Sequence, residues 1–409
     1  MTDATGNTFL SYRRSRADEA DLLIAAQHDH GIPTWQDRKD LSESPTGDEL
    51  RKVLEDSFTS SALLWITPDV QTSDVMRKIE VPIIIKRYRK QDGFFLMPVC
   101  AGGTDYKQAA ACVDQQLSVE NLQKWNLPKV SGNPISESEA VSVAQWILRR
   151  RIEAIEKQLD PDSALRISLH TRIRPESQSG TALILDWSDR FDGREARPGT
   201  WGGNLLPALR NVSSALQKMG ESRGIIVSGP ASIPAATALG VAFLAQKRQK
   251  IAWNQFTPGR PPQFWTLEEP REHSGCVGRI NEQDISANDL AVFVSIAENV
   301  GPAFAQTPQS VLPKFRAIVH VAHSSRSRFD IESPAIASDV ALTVVETIRK
   351  ARDDFRPLGV VHLFMAVPLG LAMLIGQLLN TFGPVQTYEH VPTDAVGIYK
   401  PAALLHPSI

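Results

Sequence analysis

The stretch F-L-S-Y-R-R at Phe9–Arg14 decides the fold of the first part of the chain. Its apolar residues predict a short buried strand, and Arg13 and Arg14 place two guanidinium groups at the carboxyl end of that strand. In an open α/β sheet, ligands bind at the carboxyl ends of the strands. A lone Glu80 follows in an apolar segment. The combination of two cations with one carboxylate suits a substrate with both phosphate and a cationic leaving group, such as a dinucleotide.

The residues that follow this stretch alternate strand and helix signals up to residue 160. Helical segments at 17–28, 48–57 and 141–158 are separated by predicted strands at 32–37, 61–67 and 93–99. Strands alternating with short helices predict an α/β fold with a parallel, doubly wound sheet. We expect a polar loop over Arg38–Gly47. We place a domain boundary at Asp160–Asp162, which gives domains at 1–160 and 161–409.

Composition narrows the classes of function. A chain of 409 residues predicts two or three domains, and a net charge of −2 argues against broad binding of duplex nucleic acid. Cys100, Cys112 and Cys276 are scattered, which favours a reducing compartment and argues against a disulfide framework or a zinc site. His320 and His323 lie three apart on a predicted strand and so face opposite ways, and we expect no metal site. No signal peptide is visible, so we expect a cytoplasmic protein.

One apolar segment, Gly359–Leu379, is almost long enough to span a membrane. Its polar residues and its glycines favour a different interpretation, in which a buried strand at Val360–Val367 is followed by a turn at Pro368 and a buried helix at Leu369–Phe382. We therefore expect no membrane span.

The second region is also α/β, with halves predicted at about 161–275 and 276–409. A faint internal repeat supports two halves, because a helix containing A-T-A-L-G (236–240) is matched by a helix containing A-M-L-I-G (372–376). Small residues four apart let a helix approach its sheet closely. The alternative is two unrelated helices rich in alanine and glycine.

The order and spacing of the first motifs resemble a TIR domain over roughly residues 6–130. The resemblance implies a flavodoxin-like fold with a parallel sheet. Some TIR domains are adaptors, and others cleave NAD at the nicotinamide–ribose bond. It implies that Glu80 in M-R-K-I-E-V-P is the catalytic carboxylate. It further implies an NAD pocket formed by Phe9, Arg13, Arg14, Trp35 and Asp37.

Two residues depart from that family. Enzymatic TIR domains often carry Trp four residues before the glutamate, where this chain has Met76, and Pro82 closely follows Glu80. A proline there would kink or start a helix. The alternative for Glu80 is a solvated helix residue, and for Arg13 and Arg14 it is an ordinary surface charge.

The second region resembles a SAVED domain over roughly residues 165–405, on the strings H-L-F-M-A-V-P-L-G-L-A-M-L-I-G-Q-L-L and V-Q-T-Y-E, an earlier D-W and a final Y-K-P-A. The resemblance implies two fused Rossmann-like, CARF-like units that bind a cyclic oligonucleotide. The candidate binding residues are Trp187, Arg190, Ser228, Gly229, Pro230, Trp253, Pro368 and Tyr388. Arg194 and Arg197 are additional residues that could bind a phosphate group of the ligand. The alternative is core packing for the aromatic residues and a solvated loop for the arginines.

A TIR domain fused to a SAVED domain resembles an effector of the CBASS type of antiphage defence. The resemblance implies an NAD hydrolase without a cofactor, activated by a cyclic oligonucleotide such as cyclic tri-adenylate, which drives self-association into an oligomer or filament. Hydrolysis and cyclisation of the ADP-ribose product both remain open. The main alternative is a non-enzymatic TIR scaffold that recruits partners through Arg38–Gly47. A third is a sugar-nucleotide or nucleobase hydrolase.

Overall fold

The chain folds into two compact units. In the computed structural model, the N-terminal unit comprises Met1–Pro161 and Pro175–Asp186, and the C-terminal unit comprises Asp162–Arg174 and Trp187–Ile409. The first boundary lies where the sequence placed it, but the chain returns to the N-terminal unit once more. The structure describes residues 1–35, 46–105, 107–109, 128–160, 162–219, 223–247, 249–257, 259, 261–325, 330–356, 359–393 and 396–407.

Helices and strands alternate in the described residues up to 160, whereas several strands follow one another directly in the rest of the chain. Up to residue 160 they are β1 (Asn7–Ser11), α1 (Ala17–Asp29), β2 (Thr34–Trp35), α2 (Thr46–Glu55), β3 (Thr59–Ile66), α3 (Val81–Arg89), β4 (Phe95–Cys100) and α4 (Glu137–Gln158). Beyond it they are β5 (Leu165–His170), β6 (Leu183–Asp186), β7 (Phe191–Asp192), β8 (Glu195–Ala196), α5 (Leu206–Gln217), β9 (Ile225–Ser228), α6 (Ile233–Ala242), β10 (Ile251–Gln255), β11 (Gln263–Trp265), β12 (Cys276–Glu282), β13 (Asp289–Ser295), α7 (Gly301–Gln306), β14 (Phe315–His323), α8 (Pro334–Phe355), β15 (Val361–Ala366), α9 (Leu369–Gln377), β16 (Val385–Val391) and β17 (Ile398–Leu405).

The N-terminal unit contains a four-stranded sheet in the order β2-β1-β3-β4, and each neighbouring pair is parallel. Every residue of β3 is buried, which explains its continuous apolar sequence. The predicted parallel, doubly wound sheet is confirmed. The strand order is the one that flavodoxin-like sheets share, in which ligands bind where the order reverses beside the first strand.

A fully buried Arg151 holds this unit together. Its Nε donates to the carbonyl of Ala182 at 2.9 Å, its Nη1 to Gly6 at 2.6 Å and its Nη2 to Thr5 at 2.5 Å. Burial lowers the pKa of the guanidinium to about 9, so the group stays charged near neutral pH. The carbonyl dipoles replace the water that the cation loses. Arg151 thereby joins α4 to the start of the chain and to the returning segment that contains β6.

Among its described residues, the C-terminal unit has two large sheets that follow the two predicted halves, and β7 and β8 form a separate two-stranded sheet. In the first, β5, β9 and β10 are parallel neighbours and β11 pairs antiparallel with β10. In the second, the order is β12-β14-β13-β15-β16-β17, with four parallel strands at the centre and an antiparallel strand at each edge. Sequence analysis missed β5, β7, β8, β11, β12 and β17.

The apolar segment near residue 370 forms the predicted strand and helix. β15 ends at Ala366 and α9 begins at Leu369, as expected for two buried elements separated by a turn at Pro368. The helix ends at Gln377, earlier than predicted, because the amides of Leu378 and Leu379 bond carbonyls three residues back. Within the described residues, no helix is long and apolar enough to cross a membrane.

The two helices of the internal repeat, α6 and α9, pack against each other through their glycines. A Cβ built on Gly240 would lie 2.1 Å from the carbonyl oxygen of Met373, and one built on Gly376 would lie 2.3 Å from that of Thr237. Both distances are impossible for a real side chain. The expectation that these small residues bring each helix close to its sheet is therefore wrong, because they bring the two helices close to each other.

Replacing Gly240 by alanine should destabilise the protein by about 2 kcal/mol or more, because the new methyl group must push two backbones apart. The matched control is Gly203→Ala, where a built Cβ meets no atom within 4 Å. Urea unfolding followed by tryptophan fluorescence measures both. Equal midpoints for the two variants would contradict the assignment of the close contact.

Candidate functional site

Glu80 lies in a wide helical turn that its neighbour Pro82 explains. Met76–Glu80 forms a π-helical turn directly before α3, in which Pro82 is the second residue. Proline has no N–H to donate and its ring clashes with the carbonyl four residues earlier, so a wider turn relieves the conflict. The expectation that Pro82 would kink or start a helix is confirmed. Met76 and Glu80 are both buried.

The carboxylate of Glu80 lies at the carboxyl end of β1. Ser11, the last residue of that strand, donates its hydroxyl to Oε2 of Glu80 at 2.5 Å. Glu80 is 5% exposed, so the alternative of a solvated helix residue is wrong. A buried carboxylate thus lies at the carboxyl end of β1, the end at which open α/β sheets bind ligands.

Two aromatic residues lie at the same edge of the sheet. Phe9 and Trp35 stack with ring centroids 5.1 Å apart and an interplanar angle of 13°. Phe9 is only 1% exposed, whereas Trp35 is half-buried. The prediction that Phe9 lines a pocket is corrected, because its ring lies in the core and supports the indole of Trp35.

The predicted cations differ in their surroundings. Arg13 is half-buried, and its buried Nε has no hydrogen-bond partner among the residues that the structure describes. Arg14 is exposed in a 3-10 turn at Arg14–Arg16. Asp37 and residues 38–45 of the predicted loop Arg38–Gly47 lie outside the described residues, whereas Thr46 and Gly47 form the start of α2 and not the end of a loop. Arg13 is therefore the better placed of the two arginines to meet a ligand.

The C-terminal unit contains a separate cavity of about 610 Å³. This volume falls in the range of small-molecule sites, roughly 300–1,000 Å³. Residues that follow β13, the carboxyl end of β15 and the first residue of α6 lie in its wall, together with residues of β16 and β17. It is lined by Arg172, Arg194, Ile233, Ala297, Glu298, Asn299, Pro302, Ala303, Met365, Ala366, Val367, Glu389, His390, Val396 and Tyr399.

Two arginines and a buried carboxyl group set the charge of this cavity. Nη2 of Arg172 lies 3.2 Å from Oε1 of Glu389, whose side chain is 8% exposed. Burial raises the pKa of Glu389 to about 7, and the positive charges of Arg172 and Arg194 oppose that rise only in part. Arg194 is exposed, and its Nη1 approaches the carbonyl of His390 at 3.4 Å.

Aromatic residues form the layer beneath the cavity. Tyr388 stacks on Phe364, and its hydroxyl is 2.8 Å from Nδ1 of His362. Nε2 of His362 lies 3.2 Å from a carboxylate oxygen of Asp289. Burial lowers the pKa of His362, while Asp289 acts in the opposite direction. Tyr388 is thus tied into the core and has no ring face free for a base, which corrects the prediction for this residue.

The other two predicted stacking residues are core residues as well. Trp187 is fully buried and packs edge-on against Trp201, and Trp253 is 2% exposed. Core packing, the alternative interpretation for each aromatic, is the one that the structure supports. These side chains are too deeply buried to stack on a ligand in this conformation.

The predicted turn at Ser228–Ser232 adjoins the cavity without lining it. Gly229 has a φ of 125° and lies so close to β5 that a Cβ would meet the carbonyl oxygen of Leu169 at 2.4 Å. The carbonyl of Pro230 accepts from the amide of Thr171. These residues position Ile233, which follows the turn and does line the cavity.

The remaining residues predicted to bind the ligand divide into those that line the cavity and those that do not. Pro368 is not a lining residue, although it follows Val367, which is one. Arg190 lies in a short turn outside the cavity, and Arg197 pairs with Asp192 on the surface. Arg194 is the predicted phosphate candidate that the structure does place in the cavity wall.

Sequence reasoning missed Arg172 and Glu389. Glu389 is two residues beyond Thr387 and four beyond Val385, so the period of two along β16 places it on their buried face. That signal was available in the string V-Q-T-Y-E. Arg172 is 217 positions from Glu389, and no local pattern joins them.

The two histidines of β14 have separate partners. Nε2 of His320 is 2.9 Å from the hydroxyl of Ser295, and Nδ1 of His323 is 3.2 Å from the amide nitrogen of Ser325. Across the described ranges, no group of three or more His, Cys, Asp and Glu residues is arranged to hold a metal ion.

Comparison with known proteins identifies part of the C-terminal unit. Residues 208–405 match the SAVED family, the "SMODS-associated and fused to various effectors sensor domain". The chain therefore carries a SAVED domain over these residues. No curated protein matches the sequence.

Solved structures of two receptors are similar to the chain. The Acinetobacter baumannii Cap4 SAVED/CARF-domain containing receptor with the cyclic trinucleotide 3′3′3′-cAAA has 13% identity and a TM-score of 0.50, with 95% of this chain and 98% of that one covered. Its structure with 2′3′3′-cAAA has 15% identity and a TM-score of 0.49, with the same coverage. The Moraxella osloensis Cap4 receptor has 14% identity and a TM-score of 0.45, with 97% and 100% covered. At 13% identity, the similarity to the receptor structure with 3′3′3′-cAAA shows a shared mixed α/β, SAVED/CARF-like fold.

The raised pKa of Glu389 predicts how stability depends on pH. The pKa of this carboxyl rises from 4.5 to about 7 on folding, so the folded state holds a proton that the unfolded state releases between these values. Stability should therefore fall as pH rises from about 4.5 to about 7. Glu389→Gln should remove this slope and be more stable than the natural protein at pH 8, by up to about 3 kcal/mol.

Urea unfolding across pH 4.5 to 8 measures this difference. The matched control is Glu298→Gln, which removes an exposed carboxylate from the same cavity and should keep the natural slope. If the free energy of unfolding depends on pH in the same way in the natural protein and in Glu389→Gln, burial does not raise the pKa of Glu389.

Proposed function

We propose that the chain is an NAD hydrolase activated by a cyclic oligonucleotide, acting in antiphage defence of the CBASS type. The C-terminal unit is the sensor. The N-terminal unit is a TIR domain that cleaves the nicotinamide–ribose bond. The observation that carries the proposal is the pairing of a SAVED domain and its arginine-lined cavity with a buried carboxylate at the ligand-binding edge of a parallel sheet.

The sensor assignment is supported by the chemistry of the cavity. A cyclic oligonucleotide carries one negative charge per nucleotide, and Arg172 and Arg194 offer planar donors suited to phosphate oxygens. The first residue of α6 lies in the cavity wall, where helix N-terminal amides favour anions. Structures of the similar receptor from Acinetobacter baumannii contain cyclic trinucleotides of adenosine.

The NAD-cleavage assignment is supported by the surroundings of Glu80. The hydroxyl of Ser11 fixes one carboxylate oxygen, and Trp35 and Arg13 lie on the same edge of the sheet. An aromatic face and a guanidinium suit a base and a diphosphate, respectively. The F-L-S-Y-R-R string and the strand order β2-β1-β3-β4 both agree with the TIR resemblance.

The proposed reaction needs one carboxylate and no general acid. The electron pair of the bond between C1′ of the ribose and nitrogen of nicotinamide leaves with nicotinamide, which departs as a neutral base. Positive charge develops on the ribose, and the Glu80 carboxylate stabilises it electrostatically. Water then forms a bond to C1′ and releases a proton, giving ADP-ribose. Attack by a group within ADP-ribose instead of water would give a cyclic product.

Activation is proposed to occur through self-association. The ligand occupies the sensor, copies of the chain associate, and neighbouring TIR domains complete an active site that one copy lacks. A head-to-tail contact that does not close into a ring would produce a filament.

Glu80→Gln should lower NAD cleavage at least about a hundredfold, because the amide cannot stabilise the developing positive charge. The assay incubates the full chain with NAD, with and without cyclic tri-adenylate and related cyclic oligonucleotides, and follows nicotinamide release. Asp74→Asn is the matched control, since Asp74 is an exposed carboxylate in the preceding turn that pairs with Lys78.

Size-exclusion chromatography of the same samples separates catalysis from assembly. Glu80→Gln should retain ligand-driven association, and its loss would make Glu80 a structural residue. Absence of nicotinamide release from the natural protein under every ligand would reject the enzyme and favour a non-enzymatic TIR scaffold. The buried Met76, where enzymatic relatives often have Trp, is the observation that favours this second candidate.

Arg194→Gln should weaken binding of cyclic tri-adenylate about tenfold to a hundredfold, because a hydrogen bond to a charged group is worth roughly 1.5–3 kcal/mol. Arg197→Gln is the matched control, since Arg197 is close in sequence but outside the cavity. Calorimetric titration measures both affinities. Equal losses in the two variants would place the ligand outside this cavity.

A further inference from the structure

One polar atom in the wall of the sensor cavity is left without a partner. Oε1 of Glu389 is held by Arg172, but Oε2 is buried and accepts no hydrogen bond from any residue that the structure describes. The side chain is 8% exposed and lines the cavity. Buried polar groups are nearly always satisfied, so an unsatisfied carboxylate oxygen in a cavity wall points to a ligand group that satisfies it.

The charge of this atom restricts what that ligand group is. At a pH above the pKa of about 7 that burial gives Glu389, the group is an ionised carboxylate, which repels a phosphate oxygen, and a carbonyl or ring nitrogen offers it no proton. The part of an anionic nucleotide that fits beside Oε2 is therefore an N–H or O–H donor. Nucleotides carry such donors in the amino groups of their bases and in the ribose hydroxyls.

The two arginines of the cavity support separate positions for the phosphate group and for the donor group of the ligand. Arg194 is exposed and contacts the carbonyl of His390 at the long distance of 3.4 Å, so it is available to phosphate. Arg172 already donates a hydrogen bond to Glu389 and so keeps that carboxylate in place. The cavity thus offers a cation for the phosphate and an acceptor for a donor on the same nucleotide.

We propose that Glu389 is a specificity-determining residue of the sensor, whose Oε2 accepts a hydrogen bond from a base amino group or a ribose hydroxyl of the bound cyclic nucleotide. This inference rests on the proposed sensing function. A ligand without the donor leaves the carboxylate buried and unpaired. Sites built to bond a donor reject such analogues far more strongly than apolar pockets reject a missing methylene.

The test measures discrimination between ligands rather than affinity alone. Three probes are titrated calorimetrically at pH 8, where Glu389 is ionised: cyclic tri-adenylate with 3′–5′ linkages, its analogue with purine in place of adenine, which lacks the 6-amino group, and its 2′-deoxy analogue. The natural protein should bind one of the two analogues at least tenfold more weakly than cyclic tri-adenylate. The analogue that loses affinity identifies the donor.

Two substitutions at Glu389 and one control substitution complete the experiment. In Glu389→Gln, Arg172 holds the amide oxygen, so the amide nitrogen faces the ligand and the acceptor is lost. Glu389→Met removes both oxygens at similar length. Both variants should reduce the discrimination at least fivefold, whereas Glu269→Gln, which removes an exposed carboxylate outside the cavity, should leave it unchanged.

The possible outcomes separate this inference from the proposed function. If the natural protein binds cyclic tri-adenylate but either discriminates against neither analogue or keeps its discrimination in both Glu389 variants, the inference is overturned and the sensing function stands. If the natural protein binds none of the three probes, sensing of cyclic tri-adenylate is rejected and the inference falls with it. Circular dichroism confirms that each variant is folded.

Discussion

The close contact between α6 and α9 is the constraint on which the C-terminal unit depends. Gly240 and Gly376 let two helix backbones touch, and each helix follows a turn at the carboxyl end of a parallel strand. The contact therefore fixes the distance between the two halves of the repeat. It brings Ile233, at the start of α6, and Val367, just before α9, into the wall of one cavity. A larger side chain at either glycine would change the spacing on which the cavity depends.

Both candidate sites place a carboxylate where burial would otherwise be costly, and each uses a neighbour to hold it. Ser11 donates to Glu80, and Arg172 pairs with Glu389. In each case the partner engages one oxygen through the contact described. The group that holds the carboxylate differs, because it is the guanidinium of Arg172 at Glu389 and the hydroxyl of Ser11 at Glu80.

Sequence reasoning succeeded where local pattern carries the information. The continuous apolar run of β3, the Pro-marked turn before α9 and the helix start near Pro82 follow from periodicity and proline geometry. It failed where the answer depends on distant residues. The burial of Arg151 could be predicted from the sequence, because Arg151 lies four residues from both Ile147 and Ile155 on the apolar face of α4. The carbonyl groups that accept its hydrogen bonds could not be predicted, because they lie in distant segments of the chain.

The same limit explains the outcome at the sensor cavity. Strand-end aromatics such as Trp187 and Trp253 were expected to meet the ligand, yet large apolar side chains gain most from full burial, and the structure places both in the core. Four charged residues, Arg172, Arg194, Glu298 and Glu389, lie in the cavity wall among apolar residues instead. Glu389 carries a period-two signal, whereas its pairing with Arg172 depends on tertiary packing across 217 positions.

The return of the chain to the N-terminal unit has a consequence for modularity. The segment Pro175–Asp186 supplies the carbonyl of Ala182 to Arg151 and the amide of Ile184 to the carbonyl of Gly31. A fragment that ends at residue 161 would therefore lack part of the core of the N-terminal unit and keep a buried cation with one fewer acceptor. Transfer of the N-terminal unit to another protein, by recombination or by design, must carry the segment Pro175–Asp186 along, so the transferable unit is longer than the stretch of sequence that ends at residue 161.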